Sequence, residues 1–410
     1  MKSSALLFVA SLWGAVSVCA AEKLTITVTH DLAIARPSET ITVPWSEVNK
    51  ALPHALLQKI VVKDSAGNSL PYQVTNVAPQ AKDPKVEGVA YGELIFQHDF
   101  AAGEKSATFT VEKTETVSPV FPTKVFARYV PERLDDFAWE NDKIAHRTYG
   151  PALAAPAPQG SNKEVLVTSG LDIWCKRVSY PIVDRWYNKG HDHYHHDEGE
   201  GMDMYNVGKS RGCGGTGIYD NGTLYAGRNY ASWKVLANGP VRAIFELTYD
   251  AWDANGVKVS EVKRFTVDAG LNLDRIDSTF TFSGPAELTA AVGLNKNNAD
   301  KNQEPKTEVI QNEGLAILGQ WVVQKSNDSL GTAIILPKGA LAGFVDETGK
   351  DVANLLALTK VKSGVPAAYY VGAGWSRAGE FKTKADWEAY LQAFAARVNS
   401  PIKVSLSAAN

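Results

Sequence analysis

The sequence predicts a mostly β protein: a small N-terminal β-sandwich, then a large antiparallel β-supersandwich, with one helix near the C-terminus. Three observations carry this. Short apolar runs of period two recur along the chain, Asn-Gly dipeptides punctuate them, and a single stretch has convincing helical periodicity.

The elements follow in order. The first twenty residues read as a secretory signal, with Lys2, an apolar Ala5–Val18 stretch and a small-residue cleavage pattern at Val18–Ala20. Residues 21–118 read as the small sandwich. Leu24–Val28 and Ile41–Val43 alternate, Ile60–Val62 and Tyr72–Val74 flank the turn Asp64–Asn68, and Leu94–Phe96 and Ala107–Val111 follow. Residues 119–410 form the second block. Asn221-Gly222 and Asn255-Gly256 favour the positive φ angles of tight hairpins, so both predict antiparallel pairs. Thr383 and Asp386 form a capping box, and Trp387, Leu391, Phe394 and Val398 share one helix face before Pro401 stops it.

Composition narrows the function. A net charge of −3 argues against a nucleic-acid partner. No run after the signal is long enough for a membrane helix, so the mature chain is expected to be periplasmic or secreted. In an oxidising compartment Cys175 and Cys213 are a candidate disulfide, with two separate buried thiols as the equal alternative. The run Gly212–Gly217 matches the G-x-G-x-x-G pattern. It precedes a hairpin rather than a helix, so no nucleotide is expected.

Four of the eight histidines fall within six residues, at 191, 193, 195 and 196, beside Glu198, Glu200, Asp203 and Tyr205. Histidine titrates near neutrality and is the commonest metal ligand. Taken as a strand, the run puts His191, His193 and His195 on one face, where with Asp203 they could hold one divalent ion, calcium or zinc. A metal-free site is the competing reading: His193 or His195 is the base, Tyr205 the acid, and Glu198 or Glu200 an acid or ligand. An earlier segment is dense in charge and aromatics. Trp139 and Trp186 suit a sugar platform, Glu140, Asn141 and His146 offer polar contacts, and Arg133, Arg147, Lys209 and Arg211 could hold a carboxylate. Asn295–Asn298 and Trp375–Arg377 are weaker candidates.

Taken together, Asp136–Asp142, His146–Pro151, Trp186–Tyr205 and Gly372–Ser376 resemble the DUF4861 family of exported bacterial proteins. The resemblance implies company with enzymes that degrade pectin and other uronic-acid polysaccharides, and it supplies no mechanism. Asn238–Leu247 and Val267–Arg275 are similar to the galactose mutarotase-like supersandwich. The function expected is a carbohydrate-active protein on acidic oligosaccharides or polysaccharides, working by acid/base chemistry such as β-elimination. A glycoside hydrolase with paired carboxylates (from Glu140, Glu198, Glu200 and Asp203) and a non-catalytic glycan-binding module are the alternatives.

Overall fold

The structure is a computed structural model that describes residues 23–75, 92–296, 306–324, 328–349 and 352–409. The signal segment, and Asn297 and Asn298, lie outside the described residues. The chain is mostly antiparallel β-sheet with one long helix, as the sequence predicts. Among the described residues no helix is long and apolar enough to cross a membrane.

The small sandwich stacks two sheets. Lys23–Thr29, Ser106–Lys113, Ile60–Lys63 and Ser69–Leu70 form one; Arg36–Pro44, Glu93–Phe100 and Tyr72–Thr75 form the other. Alternation drives this arrangement. Along Lys23–Thr29 every second side chain is buried, so Leu24, Ile26 and Val28 meet Ile41, Val43, Phe96 and Phe109 between the sheets. The chain's last strand, Lys403–Ala409, pairs antiparallel with Lys23–Thr29. The division of 21–118 from 119–410 therefore leaves out a strand that returns from the second block to the first.

The large body has three sheets. An eight-stranded sheet runs in the order 232–237, 242–254, 257–268, 273–282, 366–375, 329–335, 317–323, 306–312. A five-stranded sheet of 223–225, 213–220, 288–295, 353–361 and 341–348 packs on one part of it. A second five-stranded sheet of 201–202, 171–176, 145–148, 136–140 and 126–130 packs beside that one, with Phe137 and Trp139 against Phe245 and Phe265. We call this second five-stranded sheet the site sheet. Both Asn-Gly hairpins form as expected, with φ of +46° and +78° at Asn221 and Gly222 and +53° and +86° at Asn255 and Gly256. The helix Lys384–Asn399 starts with the Thr383–Asp386 capping box and buries Trp387, Leu391 and Phe394 against the eight-stranded sheet.

Cys175 and Cys213 are both free and buried, so the disulfide does not form. The Gly212–Gly217 run enters the strand Cys213–Asp220 rather than a helix. Its glycines serve packing: a Cβ on Gly212, at φ +58°, would sit 2.0 Å from the Leu171 carbonyl oxygen.

Candidate functional site

The site sheet is covered on both faces. The eight-stranded sheet lies beneath it, and the helix Val183–Lys189 with the turn His191–Tyr194 lies above. Its central strands consequently show no alternation: Asp136–Glu140, Ala145–Thr148 and Leu171–Lys176 are buried at every position. Charged residues in such strands must find partners, because an unpaired buried charge is costly.

Arg147 is the hub. Its guanidinium donates to Asp172 Oδ2 (2.8 Å) and Asp203 Oδ2 (2.8 Å), and lies 3.6 Å from Asp136 Oδ2. Tyr149, Trp174 and Tyr194 surround it with ring faces at 5.3–5.5 Å. The Tyr149 hydroxyl donates to Asp172 Oδ2 (2.7 Å) and that of Tyr187 to Asp136 Oδ2 (3.1 Å). Carboxylates outnumber cations here, and the cluster favours their protonated forms. Burial pushes Asp136 up to about 6 against the pull of Arg147. Burial, then the neighbouring Asp172, pushes Asp203 well above the usual carboxylate range.

Above this floor opens a cleft of 680 Å³ whose walls include Arg133, Tyr149, His191, His195, Tyr205 and Arg377. That volume falls within the roughly 300–1,000 Å³ of small-molecule sites. His195 is held by its Nδ1, 3.0 Å from the Asp203 carbonyl oxygen and 3.7 Å from Asp203 Oδ2. A carbonyl cannot donate, so Nδ1 carries the proton and the neutral ring presents its lone pair on Nε2. Burial lowers the His195 pKa, which favours that neutral form. His195 Nε2 lies 3.3 Å from His191 Nε2. On the rim Arg133 pairs with Glu164 (2.7 Å), and Arg377 pairs with Asp328 and with Asp197 (3.0 Å).

The histidine run is not a strand. Gly190, at φ +94°, ends one helix and starts the next turn, and Tyr194 buries beside Trp186 and Tyr187 against Trp174. Helical spacing brings His191 and His195 together (i, i+4) and turns His193 outward, where its Nδ1 meets Glu198 Oε1 at 3.0 Å in solvent. The three-histidine face is thereby overturned. Among the described residues no group of three or more His, Cys, Asp or Glu is placed to hold an ion. The spacing of Trp186, Tyr187 and Tyr194 at 7 and 8 residues was the helical signal in the sequence.

Several other expected contacts are structural. Trp139 is buried, its indole N–H donating to Asp274 Oδ2 (2.8 Å) and its ring stacked on His146, so it is no sugar platform. His146, enclosed beside it, is lowered to about 4 by burial. Glu140 accepts from Lys176 Nζ (2.7 Å) and from the Ile182 and Val183 amides, anchoring the start of the Val183–Lys189 helix. Asn141 organises the turn to Ile144. Trp186 is buried and donates to Glu200 (3.2 Å), which Tyr180, Arg185 and Lys189 also hold outside the cleft. Glu198 sits on the surface between Lys189 and His193. Arg211 is buried against Ser169 Oγ (2.8 Å) and the Lys209 carbonyl, while the Lys209 side chain is exposed; neither lines the cleft. Tyr205 does line it. Its hydroxyl, however, is enclosed beside the Asn295 backbone amide, and burial raises it well above the usual phenol range.

Sequence reasoning passed over Asp172, which closes the buried hub, and underrated Arg377. Asp172 carried a weak signal: an acid between Leu171 and Ile173 in a run otherwise reading as a buried strand.

Comparison with known proteins bears on identity. The profile described as "Domain of unknown function (DUF4861)" matches residues 28–404. The chain is 32% identical over 386 residues to "Uncharacterized protein P7" of Formosa agariphila, covering 93% of each. Among solved structures it is similar to an alpha-mannosidase from Enterococcus faecalis V583 (TM-score 0.48, 10% identity, 94% of this chain and 46% of that one). It is also similar to a protein in the glycosyl hydrolase family 38 from Enterococcus faecalis (TM-score 0.49, 11% identity, 95% and 48%). The chain spans about half the length of those two proteins. That profile match spans nearly the whole chain, and the chain belongs to the DUF4861 family.

Proposed function

We propose that this chain is an exported carbohydrate-active enzyme that acts on uronic-acid-containing oligosaccharides of the pectin type, by acid/base chemistry beside the sugar carboxylate. One observation carries the reading: an imidazole whose tautomer is fixed by the Asp203 carbonyl, and whose Nε2 lies against His191, lines a cleft rimmed by Arg133 and Arg377. Arg133 is held by Glu164, which is half exposed, so a substrate carboxylate can take that partner's place; Arg377 is held more firmly, by Asp328 and the enclosed Asp197. Arg147 has no such freedom, being bound by Asp172 and Asp203.

In β-elimination His195 Nε2 takes the proton on the carbon next to the carboxylate. The released electron pair becomes a carbon–carbon double bond, and the glycosidic oxygen leaves from the adjacent carbon. His191, whose Nε2 lies 3.3 Å from that of His195, is placed to receive that proton and pass it to the departing oxygen. The guanidinium groups neutralise the carboxylate and so acidify the C–H. Tyr205, with its hydroxyl enclosed, does not take the acid role expected for it.

The test incubates the mature protein with a panel of uronate oligosaccharides and follows products by mass and ultraviolet absorbance. New absorbance at unchanged total mass supports elimination. A mass gain of one water without absorbance means hydrolysis, and Asp203 becomes the acid to examine. His195→Ala should cut turnover roughly 10²–10⁴-fold. Glycan binding with no product from any substrate means a binding module.

A further inference from the structure

The imidazole pair has an electrostatic oddity. His195 Nδ1 faces a backbone carbonyl at 3.0 Å, and His191 Nδ1 faces the Asp192 carboxylate Oδ1 at 3.5 Å. Both acceptors call for the proton to sit on Nδ1. Each neutral ring then has its lone pair on Nε2, and the two Nε2 atoms are only 3.3 Å apart. Two lone pairs at that separation repel unless a cation stands between them. A shared proton is one such cation, and a metal ion is another.

We propose that His191 and His195 form a two-histidine chelate for a zinc-class divalent ion in this cleft. The separation matches. Two Zn–N bonds of about 2.0–2.1 Å at the tetrahedral angle set their nitrogens about 3.3–3.4 Å apart, whereas a right-angled pair would bring them to about 2.8–3.0 Å. The spacing matches as well, since residues four apart share one face of a helical turn. So does the shell behind the ligands: ligating histidines characteristically donate their other N–H to a carbonyl or carboxylate, as Asp203 and Asp192 provide. Imidazole nitrogen selects zinc and its neighbours over calcium, which takes oxygen ligands. His193 is excluded by its contact with Glu198, so the open positions fall to water and to a substrate carboxylate.

Ion and catalytic proton then compete for one lone pair on His195. This consequence rests on the reading of His195 as the proton acceptor; the ion site itself does not.

Untagged full-length protein, stripped with chelator and desalted, is titrated with Co²⁺ by visible absorption and with Zn²⁺ and Ca²⁺ by calorimetry. One equivalent of Co²⁺ should bind with the strong band of a tetrahedral site, be displaced by Zn²⁺ and ignore Ca²⁺. His191→Ala and His195→Ala should lose that binding, and His193→Ala should keep it. The His191 side chain is 55% exposed, so His191→Ala should melt with the metal-free wild type. Absence of Co²⁺ and Zn²⁺ uptake, or uptake that survives His191→Ala, overturns the chelate. Turnover of a uronate oligosaccharide should fall as Zn²⁺ saturates the site. If turnover rises instead, the chelate stands and the reading of His195 as base fails. If no ion binds while turnover still needs His195, the chelate fails and the acid/base reading stands.

Discussion

The small N-terminal sandwich and the site sheet are both antiparallel, yet they stabilise themselves in different ways. Lys23–Thr29 alternates buried and half-buried positions, and its buried set is wholly apolar. Ala145–Thr148 is buried throughout and includes a histidine, an arginine and a threonine. One sheet has a wet face, so alternation decides which side chains go inside. The other is dry on both faces, so polar side chains are enclosed whatever their parity and must be satisfied by one another. Changes along the Lys23–Thr29 face are therefore governed chiefly by volume. Changes around Arg147 are governed by charge.

The largest expected effect breaks that second rule. Arg147→Met preserves much of the volume but leaves Asp136, Asp172 and Asp203 buried around an uncharged side chain. Removing one partner of a buried ionic cluster costs about 3–5 kcal/mol. Urea unfolding should show this loss, and it should grow toward high pH, where the carboxylates resist neutralisation. A loss under about 1 kcal/mol would mean that the hub is not what holds the site sheet together.

The matching change in the sandwich is Ile26→Ala, at a fully buried position between the two small sheets. A cavity of that kind costs about 2–5 kcal/mol. The difference from Arg147→Met lies in the pH dependence, which should stay that of the wild type. Turnover by the folded fraction should also be unchanged, because Ile26 lies in a core separate from the cleft.

The same contrast explains what could be read from the sequence. Alternation, Asn-Gly turns and the capping box each report local chemistry, so the sandwich strands, both hairpins and the helix from Lys384 were legible. The return of Lys403–Ala409 to the first strand was not, since nothing local to those residues names a partner nearly four hundred positions away. At the site, composition pointed to the right neighbourhood: His191, His195, Asp203, Arg133 and Arg147 do converge. What failed was orientation. A strand period puts His193 inward with His191 and His195, whereas the aromatics of the run have a helical period that pairs His191 with His195 alone. Trp139, Glu140 and His146 differ from expectation for a related reason. Polar and aromatic residues in a strand buried on both faces look like a binding surface until the covering layer is known.

A smaller effect sharpens the point that charge rather than volume governs the region under the site. Asp274 accepts the Trp139 indole N–H and lies 3.6 Å from His146 in the core, and burial raises its carboxyl to about 7. The folded state therefore keeps a proton that the unfolded chain releases near pH 4, so this group's stabilisation declines as pH rises from about 4 to about 7. His146, lowered to about 4, acts with the opposite sign: the unfolded chain binds its proton below about 6.5, so its contribution grows as pH rises from about 4. Asp274→Asn keeps an acceptor for Trp139 and removes the first trend alone. Relative to wild type the variant should gain on the order of 1 kcal/mol per pH unit between about pH 4 and 7, then level off. Parallel stability curves across that range would show that Asp274 is ionised in the core.

The smallest expected effect is also the most specific. His193 and His195 are two residues apart in one histidine run, and a strand reading puts both on one face. The fold does separate them: His193 pairs with Glu198 in solvent, while His195 is fixed against Asp203 on the cleft wall. An exposed pair of this type contributes little to stability. His193→Ala should therefore leave melting temperature, turnover and pH profile as they are in the wild type, whereas His195→Ala should retain the fold and lose turnover. A His193→Ala protein that loses turnover while still folded would place the reacting centre on the outer face of the helical turn, on the Glu198 side, and would remove the cleft beneath it from consideration.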